Sequence, residues 1–422
     1  MLADEFITKI EGHGSLTIDW KNGKVKLNIH EGERLFEGLL VGRTADEMHW
    51  ITPRICGVCP TAHNLASLNA LENALGIKPT KTTVQLRNLM TCGQMIQSHV
   101  LHLFFLVAPD YLGIDRATEL AKKDIKLFKQ ILSLKEVSDG IVHLAGGRNV
   151  HPTKTTIGGF HKVPSQQLLK QLLNKLEKTT EAARTAMNIM LSFDYPELKV
   201  DLELVAQDRR SILSVNSADI SCRSRESGNL ENEDISIINK SSIKDYKKDI
   251  QEEIRSYSTA KFSKYKNKAM FVGSLARVAL NQKDFGKYKL DFENPFHNNI
   301  AQAVELLHYH QQAKEIIEKL LNKKLEKQII KPSKNPSLKG IGTSEAPRGS
   351  LYHEVYLRSN KGGDSVIKYA NIITPTAQNL TSIEKSARAL LEQTGKLSKE
   401  KREKLLVMLV RAYDPCITCS VH

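Results

Sequence analysis

The same short pattern, Cys-x-x-Cys, occurs near both ends of this chain. Near the start it reads Arg54-Ile55-Cys56-Gly57-Val58-Cys59, and the last residues read Asp414-Pro415-Cys416-Ile417-Thr418-Cys419-Ser420-Val421-His422. Two thiols at this spacing on a tight turn can aim both sulfurs at one ion, and metal binding keeps them deprotonated. Soft sulfur donors select nickel, iron, zinc or copper(I) over magnesium or calcium. The four thiols and the terminal imidazole can therefore converge on one metal centre.

The spacing alone leaves a structural zinc site open. Zinc sites use the same four-cysteine set, most often with the second pair only about 15 to 20 residues beyond the first. Here the two pairs lie at opposite ends of 422 residues, which disfavours a small zinc ribbon. A long-range structural zinc clamp remains an alternative.

The residues around the cysteines are more specific than their spacing. The stretch from Arg54 to His63, together with Asp414-Pro-Cys416-x-x-Cys419-x-x-His422, closely resembles the large subunit of nickel-iron hydrogenases. Further stretches resemble signatures of that family and follow in its order: IEGHG at 10–14, GGRNVHP at 146–152, NPFHNN at 294–299, EAPRG at 345–349 and TPTAQN at 374–379. The resemblance covers nearly the whole chain. It implies an α+β fold that is predominantly α-helical, with long buried helices, an N-terminal β-hairpin and small β elements, as one domain over 1–422.

The resemblance also implies a Ni-Fe centre whose iron carries carbon monoxide and cyanide. Cys56 and Cys416 would be terminal thiolates on nickel, and Cys59 and Cys419 would bridge nickel to iron. H2 would be split heterolytically, with the Cys416 thiolate as the first proton acceptor. Glu11 resembles the family carboxylate that relays the proton outward, a role that a carboxyl group can fill when burial raises its pKa toward neutrality. From the residues alone, Glu11 reads more simply as a structural acceptor beside the predicted hairpin.

Other residues would surround this centre. Arg348 would donate hydrogen bonds to an iron-bound cyanide, and an electrostatic role suits it better than that of a base, because a guanidinium hardly deprotonates in proteins. Asp414 would orient such donors, and His63 would hydrogen-bond a bridging sulfur or be a satisfied core histidine. The same pocket would be lined by Leu351, Pro375 and Thr376.

A second metal site is implied at the C-terminus. Its ligands would be the Glu37 carboxylate, the backbone carbonyl of Ile372 and the terminal His422, and such hard donors suit Mg²⁺, with Fe²⁺ as the alternative. Family precursors commonly continue beyond this histidine and are trimmed after nickel insertion. Maturation factors are therefore implied partners.

Electrons must leave through another subunit. Only Cys92 and Cys222 lie outside the two pairs, and an iron-sulfur cluster needs about four ligands. An iron-sulfur small subunit is therefore the expected partner, and Cys92 is expected to be a small buried hydrophobe. The chain resembles the bidirectional, sulfhydrogenase-like branch of the family. It has no G-x-G-x-x-G fingerprint, so any nicotinamide chemistry would belong to a diaphorase or another electron-transfer subunit.

Composition excludes several other classes. The net charge is +14, but the lysines alternate with glutamates on predicted helices such as 315–327 and 396–404, so we expect no nucleic-acid binding.

No apolar run approaches the roughly 18 residues of a membrane span. The N-terminus carries acids where a secretory signal needs basic residues, so we expect a cytoplasmic protein, although similar large subunits can be exported with a partner that carries the signal.

Periodicity places the motifs on elements. We expect a β-hairpin over 16–29 with a type I′ turn at Asn22-Gly23, and helices over 60–75, 83–108, 165–191, 300–321 and 382–411. Two Gly- and Pro-containing stretches, 146–160 and 340–356, are expected to be ordered loops, and 206–247 a surface insertion.

Three alternatives to a hydrogenase remain: a complex I-type subunit, which normally lacks the thiol pairs, a hydrogen-sensing paralogue without turnover, and the zinc clamp.

Overall fold

The computed structural model describes residues 2–207, 220–223, 239–286, 288–325, 333, 335–359 and 365–422. The strands are β1 (Leu2–Phe6), β2 (Gly14–Asp19), β3 (Lys24–Ile29), β4 (Thr155–Thr156), β5 (Gly159–Phe160), β6 (Glu203–Gln207), β7 (Ile220–Arg223), β8 (Asn239–Ser241), β9 (Ile250–Glu253), β10 (Phe262–Tyr265), β11 (Met270–Phe271), β12 (Lys339–Ala346), β13 (Gly349–Ser359) and β14 (Ser365–Ile373). The helices are α1 (Phe36–Leu40), α2 (Met48–Ile51), α3 (Pro60–Leu75), α4 (Lys81–Leu101), α5 (Ala108–Leu112), α6 (Leu120–Lys123), α7 (Ile125–Gly146), α8 (Gln166–Ser192), α9 (Tyr246–Asp249), α10 (Ser274–Leu280), α11 (Gln282–Phe285), α12 (Asn298–Leu321), α13 (Pro375–Gln393), α14 (Lys399–Ala412) and α15 (Ile417–Ser420).

Four long helices, α4, α7, α8 and α12, pack against one another and build the main apolar core. Helix α4 approaches α7 closely at Gly93, where an added Cβ would lie 2.8 Å from side-chain atoms of both Ile141 and Val142. Cys92, beside it, is fully buried, as expected for a small hydrophobe. The predicted α+β fold with predominantly helical content is confirmed.

Helix α3 packs on the antiparallel sheet β12-β13-β14, and this pair of elements carries part of the metal centre. The two glycines of β12, Gly340 and Gly342, face the helix backbone. A Cβ on Gly342 would lie 2.2 Å from the carbonyl oxygen of Ala66 and from the amide nitrogen of Ala70. The expectation of a loop over 340–356 is therefore wrong, because these glycines permit close packing of a strand rather than a turn.

The N-terminal hairpin is confirmed, but its turn is not the predicted one. Strands β2 and β3 pair with Asp19 opposite Lys24, which leaves a turn over 20–23. Within it only Gly23 has a positive φ, 63°, whereas a type I′ turn needs two such residues. The Asp19 carboxylate instead accepts hydrogen bonds from the backbone of Lys21 and Asn22 at 3.1 and 3.3 Å. This carboxylate cap stabilises a longer turn.

The predicted end of a helix agrees with the structure where a glycine terminates the helix. Helix α3 spans the predicted residues and ends at Gly76, whose φ is 68°. The predicted helix over 83–108 instead changes into a π-helix over His102–Val107. The predicted helix over 382–411 is two helices, α13 and α14, separated by a turn that includes Gly395. The apolar spacing continues on both sides of that turn, which is why the sequence suggested one helix.

Part of the predicted surface insertion forms strands. Strand β7 pairs with β6 and β8 in a four-stranded sheet ordered β11-β6-β7-β8. Residues 208–219 and 224–238 of the predicted insertion lie outside the described residues, so the insertion stays a prediction, as does the single domain. Among the helices that the structure describes, none is both long and apolar enough to cross a membrane.

Candidate metal centre

Both Cys-x-x-Cys units lie where a turn enters a helix. Cys56 follows a 3-10 turn, and Cys59 precedes Pro60, the first residue of α3. The backbone N–H groups of Val58 and Cys59 point at the Cys56 sulfur, at 3.3 and 3.1 Å. Cys416 precedes the short helix α15, which carries Cys419. Each turn is tight enough to aim both of its sulfurs in one direction.

The four sulfur atoms converge, as the sequence predicts. All lie within 4.8 Å of one another in a buried cluster. The Sγ atoms of Cys56 and Cys416 are 3.3 Å apart, and those of Cys59 and Cys419 are 3.9 Å apart. A disulfide would need about 2.05 Å, whereas four sulfurs around an ion with bonds of about 2.3 Å are spaced by about 3.8 Å. The donor set therefore fits one metal centre with four thiolate ligands.

The environment of these thiols favours thiolates at two positions. Burial raises the pKa of the Cys56 thiol, but hydrogen bonds from Cys416 and Cys419 outweigh burial, and the pKa is lowered well below its usual range. Hydrogen bonding by Cys419 likewise lowers the pKa of Cys416. The positive charge of Arg348 adds to the effect at Cys56.

Arg348 is held beside the thiols by Asp414. Its Nε donates to the Asp414 carbonyl at 2.6 Å, and its Nη2 donates to the Asp414 carboxylate at 2.7 Å. Burial alone would lower the pKa of Arg348. The negative charges of Asp414 and of the thiolates have a larger effect, and the pKa lies above its usual value. The side chain is 5% exposed and keeps its charge. It can supply positive charge and hydrogen bonds but cannot act as a base at ordinary pH.

A buried polar chain continues beyond Asp414 and was missed by sequence reasoning. The Nε2 of Gln302 donates to the Asp414 carboxylate at 3.0 Å, and the Oε1 of Gln302 lies 2.5 Å from His102 Nδ1. The other ring nitrogen of His102 lies 2.7 Å from the carbonyl oxygen of Arg411. Both ring nitrogens of His102 therefore face hydrogen-bond acceptors. This chain fixes the orientation of the carboxylate that orients Arg348.

The loop that carries Arg348 is fixed from behind by Arg277, another residue that the sequence did not single out. The Nη1 and Nη2 atoms of Arg277 donate to the carbonyl oxygens of Ala346 and Pro347, each at 2.9 Å. Arg277 is also paired with Glu305 and Glu345 at 2.7 and 2.8 Å, with every member buried. A basic residue within the apolar stretch 274–280 was the available sequence signal.

Glu11 lies against the C-terminal turn. Its carbonyl oxygen accepts from the backbone N–H of Ile417 at 3.0 Å, and its carboxylate accepts from Thr418, from the backbone N–H at 3.1 Å and from the hydroxyl. Burial, followed by the negative charge of Cys416, raises the pKa of Glu11 to about 7. A carboxyl group with this pKa can both accept and release a proton near neutral pH.

His63 contacts one of the thiols directly. Its Nε2 lies 3.2 Å from the Cys419 sulfur, and its Nδ1 lies 3.1 Å from Nε2 of His353. The Nδ1 of His353 in turn lies 2.9 Å from the hydroxyl of Ser67. Burial lowers the pKa of His63 to about 3, so the ring is neutral. His353 was not singled out by the sequence, because its partner is distant along the chain.

Of the remaining predicted pocket residues, Thr376 and Leu351 contact the thiol-bearing segments or share their buried cluster. Thr376 Oγ1 accepts from the Cys416 N–H at 3.0 Å. Leu351 belongs to the same buried cluster as the four cysteines, and Pro375 is buried at the first position of α13.

The three predicted ligands of the second site also meet. Ile372 donates its N–H to the Glu37 carboxylate at 2.6 Å, and its carbonyl oxygen lies 2.7 Å from Nε2 of His422. Glu252 was missed by the sequence. Its Oε1 is buried with no hydrogen-bond partner, and its charge interacts with those of His422 and Glu37. An unpartnered carboxylate oxygen near an oxygen and nitrogen donor set fits a hard cation with retained waters.

Four buried soft donors beside a fixed positive charge suit a transition metal, so the site defines a sulfur-ligated metalloprotein. The family model described as nickel-dependent hydrogenase matches residues 34–140 and 197–422. The chain therefore belongs to the nickel-dependent hydrogenase family, as a large subunit of a nickel-iron hydrogenase that acts on H2. The prediction made from the sequence is confirmed.

Individual relatives agree with this assignment. Sulfhydrogenase 1 subunit alpha of Pyrococcus furiosus is 33% identical over 437 residues, covering 99% of this chain and 97% of the relative. The NAD-reducing hydrogenase HoxS subunit beta of Cupriavidus necator is 25% identical over 99% of this chain and 93% of the relative. A crystal structure of an NAD⁺-reducing [NiFe]-hydrogenase in the H2-reduced state has the same fold, with a TM-score of 0.84 at 23% identity, covering 100% of this chain and 99% of that one.

Proposed function

We propose that this chain catalyses the reversible heterolytic cleavage of H2 at a Ni-Fe centre whose iron carries carbon monoxide and cyanide. The observation that carries the proposal is the convergence of four buried cysteine sulfurs within 4.8 Å of one another. When bound, such a centre supplies variable oxidation states and a site that accepts the electron pair of H2. In this proposal the thiolates of Cys56, Cys59, Cys416 and Cys419 would together hold the nickel and the iron.

Protons leave through the residues at the C-terminal turn. The Cys416 thiolate accepts the first proton, and the Glu11 carboxylate takes it onward, with Thr418 orienting that carboxylate. The raised pKa of Glu11, about 7, supports this role because proton transfer is most efficient when the relay group titrates near the working pH.

The surrounding polar residues position the centre and its diatomic ligands. Arg348, oriented by Asp414, donates hydrogen bonds to an iron-bound cyanide and offsets the negative charge of the thiolates. His63 donates to the Cys419 sulfur, with His353 holding the ring. This pairing is supported by the 3.2 and 3.1 Å separations on either side of the His63 ring. The pocket wall is formed by Leu351, Pro375 and Thr376.

The second site holds Mg²⁺ or Fe²⁺ through Glu37, the Ile372 carbonyl and His422. The position of this second site in the fold connects it to the turn that carries Cys416 and Cys419. His422 is the last residue, and its Nδ1 lies 3.0 Å from the carbonyl oxygen of Cys419. A cation bound by His422 therefore also stabilises the turn that carries two of the thiols.

The electrons pass to an iron-sulfur small subunit. The name of the relative from Pyrococcus furiosus is that of an alpha subunit, and the name of the relative from Cupriavidus necator is that of a subunit of an NAD-reducing enzyme. We accordingly propose a heteromultimer that includes the iron-sulfur subunit and, where a nicotinamide cofactor is served, a diaphorase subunit. Maturation factors insert the metals, and the complex works in the cytoplasm.

The test is metal analysis and infrared spectroscopy of the protein purified with its native partners. We expect nickel and iron, with bands of metal-bound carbon monoxide and cyanide. Cys416→Ser should lose nickel, whereas Cys92→Ser, a buried thiol outside the centre, should retain it. Zinc without these bands in fully matured protein would replace the proposal with the structural clamp.

A further inference from the structure

Arg34 lies between the two thiol-bearing turns, although nothing in the sequence pointed to it. Its Nη2 donates to the carbonyl oxygen of Ile55 at 2.6 Å and also to the carbonyl oxygen of Thr418. Ile55 directly precedes Cys56, and Thr418 directly precedes Cys419. Because one guanidinium NH2 group has two hydrogens, a single nitrogen can serve both turns at once.

The backbone of Arg34 adds a third contact with the end of the chain. Its N–H donates to the carbonyl oxygen of Val421 at 3.1 Å. The main chain at Arg34 is therefore attached to the C-terminal segment, while the side chain reaches across to the turn that carries Cys56. The segment around Arg34 also leads directly into α1, which carries Glu37.

The charge of Arg34 is directed at carbonyl groups. Within the part of the chain that the structure describes, no carboxylate forms an ion pair with Arg34. Its guanidinium carbon also lies over the Phe36 ring, 5.2 Å from the ring centre. Hydrogen bonds from a cation to neutral acceptors are stronger than those between neutral groups. The guanidinium is planar and rigid, so the two hydrogens of Nη2 point in fixed directions toward the two carbonyl groups.

We propose that Arg34 is a positioning residue that fastens the two Cys-x-x-Cys turns to each other and thereby controls how firmly the metal centre is retained. The mutual distance of the four sulfurs depends on segments from opposite ends of the chain. A side chain that joins the main chains of both segments restricts their separation directly. The part of this inference that concerns nickel rests on the proposed function, whereas the coupling of the two turns does not.

Two substitutions distinguish a role of Arg34 in hydrogen-bonding both turns from a role of its positive charge alone. Arg34→Gln removes the charge and shortens the side chain. Arg34→Lys keeps the charge but loses the planar fork and about one bond of reach. Arg43→Gln is the matched control, because Arg43 is an exposed arginine whose side chain, among the residues that the structure describes, pairs with Glu47 alone, at 3.4 Å. All three are made in the complex purified with its native partners, and thermal melting verifies that each is folded.

Two readouts are compared. Hydrogen-deuterium exchange measures the protection of the peptide that covers 414–422, and a chelator challenge measures the rate of nickel release. We expect both Arg34 variants to exchange faster in this peptide and to release nickel about tenfold faster or more, the change expected for one lost charge-assisted hydrogen bond. The Arg43 variant should match the wild-type protein in both.

Other outcomes would overturn the inference. Wild-type behaviour of Arg34→Lys would mean that only charge is needed, and wild-type behaviour of both variants would mean that Arg34 does not couple the turns. If Arg34→Gln does not fold, Arg34→Lys decides the question alone. If the wild-type protein contained no nickel, the proposed function would fail, yet the exchange measurement would still decide whether Arg34 fastens the two turns.

Discussion

Glu11 is the residue whose loss should most selectively stop proton movement. Glu11→Gln keeps the side-chain size and one oxygen that can accept a hydrogen bond from Thr418, but removes the titrating group. We expect H2 turnover to fall by about 100-fold or more, the usual contribution of a general acid or base. Nickel content should remain at the wild-type level, because Glu11 is not a thiol ligand. Turnover is measured with a soluble electron acceptor alongside metal analysis.

The matched control for this variant is Glu31→Gln. Glu31 lies on the neighbouring surface, where it pairs with His13 at 2.7 Å. Its replacement should leave turnover unchanged. Full activity of Glu11→Gln would assign the proton relay to another group.

The raised pKa of Glu11 predicts a pH dependence of the rate. In H2 oxidation the ionised carboxylate accepts the proton, so the rate should rise with pH through about 7, where burial and the Cys416 charge have placed the pKa. In H2 evolution the protonated form donates, so the rate should fall over the same interval. Steady-state rates in both directions from pH 5 to 9 provide the measurement. A profile that keeps its step near 7 in Glu11→Gln would contradict this assignment.

At the scale of elements, the packing of α3 on β12 depends on glycine. A Cβ at Gly342 would lie 2.2 Å from main-chain atoms of α3, which cannot rotate away as a side chain could. Gly342→Ala should therefore lower the free energy of unfolding by more than about 3 kcal/mol, at the upper end of overpacking costs. Gly395→Ala is the control, since its nearest atom would be 3.7 Å away. Denaturant unfolding of both variants tests this, and equal stability would show that helix and strand can separate at little cost.

The sequence predicted elements well where the signals were local. Helix α3 begins at Pro60 and ends at Leu75, just before Gly76, and Pro60 and Gly76 each act through their own backbone geometry. Strands β12 and β13 were missed because Gly342 and Gly340 suggested a loop. Glycine is required at these two positions because the backbone of α3 packs against them. Helix α3 lies more than 250 positions away in the chain, so the local sequence pattern does not indicate this contact.

The same distinction holds for the site. The four cysteines were predicted because their spacing and flanking residues form a recognisable pattern. Arg34, Arg277, His353 and Glu252 were not, and each acts through partners that are remote in sequence. The Arg34 guanidinium donates to two main-chain carbonyl groups, and Arg277 donates to two others besides its glutamate partners. Any residue type provides such carbonyl groups. A single sequence therefore reveals the ligands of such a centre more readily than the residues that position them.

At the scale of the whole molecule, metal binding should couple to stability. The centre joins the two thiol-bearing turns, so removing the metals leaves a cluster of buried thiols that lacks its bonds to the metals. We expect the loaded protein to be more stable than the metal-free protein by about 4 kcal/mol or more when the metal is held a thousandfold above its Kd. Calorimetric melting of the two forms measures this. In Cys416→Ser the difference should largely disappear, and an equal difference in that variant would mean that the stabilising metal binds elsewhere.

The separation of the two thiol pairs along the chain also delays the formation of the complete site during protein synthesis. Cys56 and its partner Cys416 are 360 positions apart. At ribosomal rates of about 5 to 20 residues per second, the first pair waits on the order of 20 to 70 s before the second has been synthesised. During that time only Cys56 and Cys59 exist, so the four-thiol site can form only once synthesis has reached Cys419. Convergence of the ligands is therefore a late event in the making of the chain.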